Sequence, residues 1–530
     1  MVSSDESIKS ALCDFYKDKT ILLTGGSGFL GKAVIAKILR DLSNIRRLYV
    51  LMRPKRLPDG STLSALARLS DEVLKSPAFD KLRRDLGEQF DQLIAEKLVA
   101  VTGDLMHGQL GMELEIYNQL AGEVDVIINC AAEVSFDAPL ERAVRLNAIA
   151  PKHVLEFAQR CAKRPILIHV STCYVNGMRE GVVHEEPLPP TVSMWHLRCG
   201  VEASSPEIEP YDVDAEVEAV LKRACELIEE SHSKRNRAIF ERRARQQLSR
   251  ISSYSEQELE KRIEMERAEW LKQRLIDEGM QWARRRGWND TYTFTKAMGE
   301  QLLVRYRGDV PVVILRPAII ESSLREPLPG WIEGLRMADP IIIGYGRGRL
   351  PDFPGDPNCI IDLVPVDLVV NALLASALLP ADEPKLHVIH VATGTENPLT
   401  FGELYHIGRN YFLANPLQLN ENDTPPSHYP EWTFPSRDAF LRRLHWRWLL
   451  PIRFCEAFTR WLRFIPPLRR LNARCASLRM AFERLRYYVE IYGPYTEVRC
   501  RYDTTNLRML WQRLHQSDRE RFPFDVRSID

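Results

Sequence analysis

Two groups of residues have the types and spacing to do chemistry on a bound molecule. The first is Tyr292-x-x-x-Lys296. Residues four apart on a helix share one face, so phenol and ammonium lie side by side. A lysine cation lowers the pKa of a neighbouring phenol, which makes Tyr292 an expected acid or base near neutrality. Ser171-Thr172 closes an apolar run earlier in the chain and supplies a hydroxyl to hold a substrate oxygen. The second group is Thr24-Gly25-Gly26-Ser27-Gly28-Phe29-Leu30-Gly31. Glycines permit a tight turn and let backbone N–H groups approach a pyrophosphate, and a helix N-terminus adds partial positive charge. Gly25, Ser27, Gly28, Phe29, Leu30 and Gly31 are therefore candidate dinucleotide contacts.

The cofactor type is read from a third position. An Asp or Glu after the second strand would accept the ribose 2′-OH of NAD. Here Arg53 stands there, with Lys55 and Arg56 following. Cations suit a 2′-phosphate, so NADPH is expected. Asp104 and Leu105 are candidate adenine contacts. Asn129 and Ala131, in the run Asn129-Cys130-Ala131-Ala132, let a cofactor pass over small residues.

These positions need a frame to bring them together. Apolar runs predict strands at Thr20 to Leu23, Leu48 to Met52, Leu98 to Thr102, Val124 to Asn129, Ile166 to Val170, Val312 to Leu315 and Leu386 to Val391. Between them fall helical patterns such as Val34, Ile35, Ile38, Leu39 and Leu42. Alternating strands and helices predict a parallel sheet with helices on both faces. Residues 207–286 interrupt this with a charge-dense insertion, read as a solvated helical pair laced with i,i+4 ion pairs. Asn415 to Ser436 reads as a linker or loop. From Arg437 to Arg486 only Asp438, Glu456 and Glu483 oppose thirteen arginines, with Trp446, Trp448, Phe454, Phe458, Trp461 and Phe464 interleaved.

Composition bounds the class. The 530 residues carry 72 Lys+Arg against 72 Asp+Glu, so a general polyanion binder is not expected and no nucleic-acid partner is read. At 45% hydrophobic and 27% charged, the chain is globular. Ten cysteines without a C-x-x-C fit a reduced, cytoplasmic setting. Met1 to Lys19 has no apolar h-region, and no apolar run is long enough for a transmembrane helix. No Gly-x-Ser-x-Gly elbow or His-Glu-x-x-His helix occurs, and His184-Glu185-Glu186 is not metal spacing, so no metal is expected. Cys173, beside Thr172, reads as a small core residue before an acyl-accepting thiol.

The glycine loop, Val170-Ser171-Thr172-Cys173-Tyr174-Val175-Asn176-Gly177 and Thr291-Tyr292-Thr293-Phe294-Thr295-Lys296 resemble an extended short-chain dehydrogenase/reductase. With Gly299-Glu300-Gln301, Leu315-Arg316-Pro317, the Gly330-Trp331 region, Asp362-Leu363-Val364-Pro365-Val366-Asp367 and the C-terminal Phe522-Pro523-Phe524, the chain resembles the alcohol-forming fatty acyl-CoA reductases, or male-sterility family, and bacterial members most. The charged insertion is longer than that pattern suggests. The resemblance implies a Rossmann-like doubly wound α/β domain at 1–400, with the helical insertion, and a mostly helical domain at 401–530. It implies reduction of fatty acyl-CoA to a primary alcohol with two NADPH, Tyr292 as proton donor, Lys296 on the nicotinamide ribose, and Thr172 as the active hydroxyl. An enzyme stopping at the aldehyde, a nucleotide-sugar reductase and a non-catalytic nucleotide sensor are the competing expectations. The basic, aromatic 437–486 region adds an expected contact with acyl-CoA phosphates or the periphery of an anionic membrane.

Overall fold

A computed structural model describes residues 11–57, 59–249, 254–334, 338–379, 386–418, 426, 428–461 and 466–530. The first ten residues and Phe464 therefore lie outside the described residues. Every apolar run read as a strand is a strand of one parallel sheet. The strands are β1 (Thr20–Thr24), β2 (Arg47–Met52), β3 (Leu98–Thr102), β4 (Val126–Asn129), β5 (Ile166–Val170), β6 (Val312–Pro317) and β7 (Leu386–Val391). They lie in the order β3-β2-β1-β4-β5-β6-β7. All pairs are parallel, with Thr24 opposite Asn129 and Asn129 opposite His169. This is a Rossmann-like doubly wound arrangement. Strand order reverses between β1 and β4, where ligands of such sheets bind beyond the strand carboxyl ends.

Both faces of the sheet are covered because side chains alternate along a strand. Leu22, Ile127, Leu167 and Ile314 share one buried cluster with Val154, Leu155 and Leu303, which come from helix Ala150–Arg160 and the helix bearing Tyr292. Leu23 faces the other way, toward Ile35 of helix α1 (Phe29–Asp41).

The insertion forms three helices where a pair was expected: α2 (Val213–Ser231), α3 (Lys234–Leu248) and α4 (Glu256–Arg285). Its outer surface carries the expected charge pairs, such as Glu241–Arg245 at 2.7 Å and Arg237–Glu260 at 2.8 Å. Phe240, Ala244, Leu259 and Ile263 make an apolar seam between α3 and α4. Helix α5 (Thr291–Tyr306) follows.

Compactness divides the chain differently from a single boundary at residue 400. One unit holds the chain up to Ile332 with Val364–Ala392 and Tyr502–Asp530, and the other holds Glu333–Leu363 and Thr393–Arg501. The C-terminal segment returns to the first unit through polar contacts that composition does not reveal. The Asn506 side chain donates to Val388 O at 2.9 Å. The Glu185 carboxylate accepts from the backbone N–H groups of His390 and Asn506, and burial pushes its pKa up to about 8. Within the second unit, the stretch read as a linker brings Tyr429 and Trp432 into an aromatic core. Trp432 stacks on Tyr405 at 4.9 Å and meets Tyr345 edge-on at 5.3 Å.

Candidate active site

The glycine loop is built for close approach. Gly25 has φ +73°, and a Cβ there would lie 2.6 Å from Ala131 N. A Cβ on Gly31 would lie 2.2 Å from Gly25 O. Only glycine satisfies both positions. The N-cap of α1 is Gly28, with no side-chain cap, so the positive end of the helix at Leu30 and Gly31 faces the loop without a side chain over it. These are features a pyrophosphate fits.

Beyond β2 and β3 the two strand ends stay joined, with Gly103 N donating to Met52 O at 3.3 Å. Arg53 is half-exposed and its guanidinium lies 3.7 Å from the Asp104 carboxylate. Asp104 Oδ1 also accepts from Met106 N at 3.0 Å. Leu105 turns its side chain into the apolar core, and its carbonyl lies 2.9 Å from His153 Nδ1. Arg68, which spacing did not single out, reaches both motifs. Its Nη1 donates to Arg53 O at 2.6 Å and its Nη2 to Ser27 Oγ at 3.4 Å, while Glu72 holds it at 2.7 Å. This corner thus has two guanidiniums, each facing a carboxylate.

The candidate reacting side chains sit beyond β5. Asp290 caps α5 by accepting from Thr293 N at 2.8 Å, which fixes the turn from which Tyr292 projects. The Tyr292 ring meets Phe136 edge-on at 5.6 Å. Thr172 caps the short helix Cys173–Asn176, accepting from Tyr174 N at 3.3 Å, and its hydroxyl hydrogen-bonds the Tyr292 phenol. Ser171 Oγ is buried with no protein partner. The neighbouring Cys173 thiol is spent on a structural bond, donating to Arg316 O at 2.9 Å.

The expected tuning of Tyr292 by Lys296 does not hold in this structure. Burial is the largest influence and pushes the phenol above its ordinary value, Asp290 adds to it, and only the Thr172 hydrogen bond opposes it. Lys296 is itself buried, and loss of water pushes its pKa down to about 8. Its ammonium donates to Val170 O at 2.7 Å and lies 3.4 Å from His169 Nε2. A helical i,i+4 spacing tells which face two groups share, and nothing about the water they lose.

His169 extends this into a buried polar chain across three strands. Its Nδ1 lies 3.0 Å from Asn129 Nδ2, and the Asn129 carbonyl accepts from Thr24 Oγ1 at 2.6 Å. Thr24 Oγ1 in turn accepts from Ala131 N at 3.3 Å. Asn129 and Ala131 thereby join the loop of Gly25 to Lys296. Asn147 is, after Arg68 and His169, a third residue that spacing missed. Fully buried, it accepts from Glu133 N and donates to Glu133 O and Thr295 Oγ1, at 2.8, 2.9 and 3.0 Å. Gly299 is where Asn147 O passes closest to α5, since a Cβ there would lie 2.1 Å from it.

The male sterility protein model matches residues 23–373, which include the glycine loop, Thr172, Tyr292 and Lys296. The chain belongs to the male sterility protein family. It is an enzyme, a nicotinamide-dependent reductase. Curated relatives of the chain are fatty acyl-CoA reductases. Fatty acyl-CoA reductase 1 of Arabidopsis thaliana is 32% identical over 99% of this chain and 96% of its own. The alcohol-forming fatty acyl-CoA reductase of Simmondsia chinensis is 30% identical over 98% and 95%. These are plant proteins and give no support to a bacterial type. Among solved structures, the terminal R domain of the myxalamid PKS-NRPS biosynthetic pathway aligns with a TM-score of 0.51 at 17% identity, over 93% of this chain and 85% of that one, a likeness of fold.

Proposed function

We propose that this reductase converts long-chain fatty acyl-CoA to a primary alcohol through an aldehyde, using two NADPH and releasing CoA. The observation that carries it is the convergence of Tyr292, Thr172 and Lys296 beyond the strand ends that carry the glycine loop. The names of the relatives supply the substrate class. Arg53 and Arg68, in the corner where NAD-specific sites keep an acid, favour NADPH.

When bound, the reduced nicotinamide supplies hydride to one face of the substrate carbonyl. Tyr292 and Thr172 hold the carbonyl oxygen and stabilise negative charge developing on it. Tyr292 then delivers its proton to that oxygen. The raised phenol pKa keeps this proton in place at neutral pH. As the hemithioacetal expels CoA thiolate, its hydroxyl proton returns to the Tyr292 phenolate, and the restored phenol then supplies the proton when the aldehyde is reduced at the same site. Lys296, held by Val170 O, orients the ribose. No acyl-enzyme is required, and the buried Cys173 thiol is engaged elsewhere.

The proposed setting is cytoplasmic, with contact at the periphery of a membrane. Among the described residues no helix is long and apolar enough to cross one. The test is stoichiometry with a long-chain acyl-CoA. About two NADPH oxidised per CoA released, with little free aldehyde and with added fatty aldehyde also reduced, supports the reading. A ratio near one with aldehyde accumulating overturns the alcohol-forming step, and no NADPH consumption overturns the substrate class.

A further inference from the structure

The second unit carries a helical hairpin whose polar and apolar residues are reversed for a water-facing structure. Its arms are α6 (Leu450–Trp461) and α7 (Pro466–Tyr492), packed on each other. The seam between them is polar. Asn472 Nδ2 donates to Glu456 O at 2.8 Å and to Thr459 Oγ1 at 2.9 Å, and Arg479 donates to the buried Glu456 carboxylate at 2.7 Å. Phe454 and Phe458 flank Glu456 by two residues on either side. At about 100° per residue they lie nearly opposite it on the helix. They are 76% and 59% exposed, and Trp446, just before α6, is 67% exposed. Leu478 and Met480 of α7 are also exposed. A hairpin folding for water alone would place such residues in the seam and the carboxylate outside.

Charge identifies what covers this surface. Arg442, Arg443, Arg447, Arg474, Arg484 and Arg486 are exposed on the same segment. Its acids do not balance them: Glu456 and Glu483 are taken up by Arg479 and Arg453, Arg486 faces Glu490 and Arg443 faces Asp352, while Arg442, Arg447, Arg474 and Arg484 make no ion pair among the described residues. A second copy seated here about a two-fold axis would set arginine against arginine. A bilayer with anionic headgroups accepts both features, since aromatic rings settle at the headgroup–acyl boundary and guanidiniums stay on phosphates.

We infer that the surface formed by residues 437–459 and 470–492 is a peripheral docking surface for an anionic lipid bilayer, inserting Trp446, Phe454 and Phe458 while its arginines bind headgroup phosphates. This assigns the membrane contact to one surface and one lipid charge. It is tested independently of the substrate, because binding is read on vesicles without turnover.

The experiment is co-sedimentation of the full chain with phosphatidylcholine vesicles, with and without phosphatidylglycerol, at low and high salt. Binding is expected only with phosphatidylglycerol and should weaken in high salt. The pair Phe454→Ser and Phe458→Ser should bind at least about tenfold more weakly, as should Arg442→Gln with Arg447→Gln, since each anchoring ring or cation contributes on the order of a tenfold factor. Both variants should keep the wild-type melting temperature and NADPH oxidation rate without vesicles, because all four side chains are exposed and none is a residue of the candidate active site. No binding of the wild type to phosphatidylglycerol vesicles at low salt overturns the inference. So does unchanged binding by both variants, or a wild-type dimer, by light scattering, that the phenylalanine pair converts to monomer without any vesicle binding.

Discussion

Replacing Tyr292 by Phe removes one oxygen and leaves nearly everything else in place. The helix cap at Asp290 does not involve it, and the ring edge against Phe136 is kept. Phe has almost the same shape, so no cavity opens. The oxygen's partner is the Thr172 hydroxyl. Losing one such bond costs about 0.5–1.5 kcal/mol net, partly offset because a phenol no longer has to be buried. Fold stability should therefore change by about 1 kcal/mol or less. Turnover should not be spared in this way. A positioned proton donor contributes about 10²–10⁴-fold, equivalent to about 3–5 kcal/mol of barrier. The variant should melt within a few degrees of wild type and bind NADPH with unchanged affinity, while NADPH oxidation with saturating acyl-CoA falls at least about a hundredfold. Fluorescence titration, thermal melting and absorbance kinetics on one preparation separate these quantities. Turnover within about tenfold of wild type, with NADPH binding intact, would refute the assignment of Tyr292 as proton donor.

Three further outcomes follow from the same geometry. Because Lys296 titrates near 8 and Tyr292 above its ordinary value, kcat/KM of the free enzyme should fall as pH rises through about 8, where the ammonium is lost; a limb appearing only near the usual phenol range would oppose this. Arg53→Ala should raise the KM for NADPH by about 10–100-fold, the size of a lost charge-assisted contact, and the KM for NADH much less; equal losses for both would count against a 2′-phosphate role. Gly31→Ala forces its Cβ against Gly25 O, so the loop must open; NADPH affinity should drop with about 1–3 kcal/mol of stability, and a variant with native affinity would contradict the close-approach reading.

The sheet was legible because each strand is an apolar run with turn residues at its end, and a run buried on both faces needs no alternation. The glycine loop was legible because backbone approach demands glycine at fixed spacing. Arg68 was not, since it reaches Ser27 and the Arg53 carbonyl only after the chain between them has folded back. His169 lies one residue inside the end of a strand whose apolar character hides it, and its partners Asn129 and Lys296 are brought to it by strand register and helix packing. The direction of the Tyr292 shift was misread for a related reason: spacing gives proximity, while the size of a burial effect depends on neighbours distant in sequence.

The insertion makes the same point from the opposite side. Its composition reads as solvated, and most of it is. Yet a few residues bind it to the helix that carries Tyr292. Tyr211 OH donates to Gln301 Oε1 at 2.7 Å, and Gln301 Nε2 donates onward to Pro189 O and Val192 O at 2.8 and 2.9 Å. Tyr211, Val213 and Val220 share a buried cluster with Trp288, Phe294 and Met298. Glu216 lies buried between Arg286 and the Trp282 indole, and Asp212 and Asp214 both hold Arg305 near the end of α5. On the sheet side, Glu300 of the same helix forms a fully buried ion pair with Arg316 of β6 at 2.6 Å. Removing one partner of such a pair leaves a buried charge, which costs far more than the pair gains over an apolar core. Bonds of this kind fix position better than they add stability. The phenol must meet a carbonyl oxygen within hydrogen-bond reach, and small misplacements are expensive in rate. Helix α5 is thus clamped by polar bonds on both sides, to β6 through Glu300 and to the insertion through Gln301 and Arg305. A charge-rich insertion before Tyr292 is, in this chain, part of what holds Tyr292 in place.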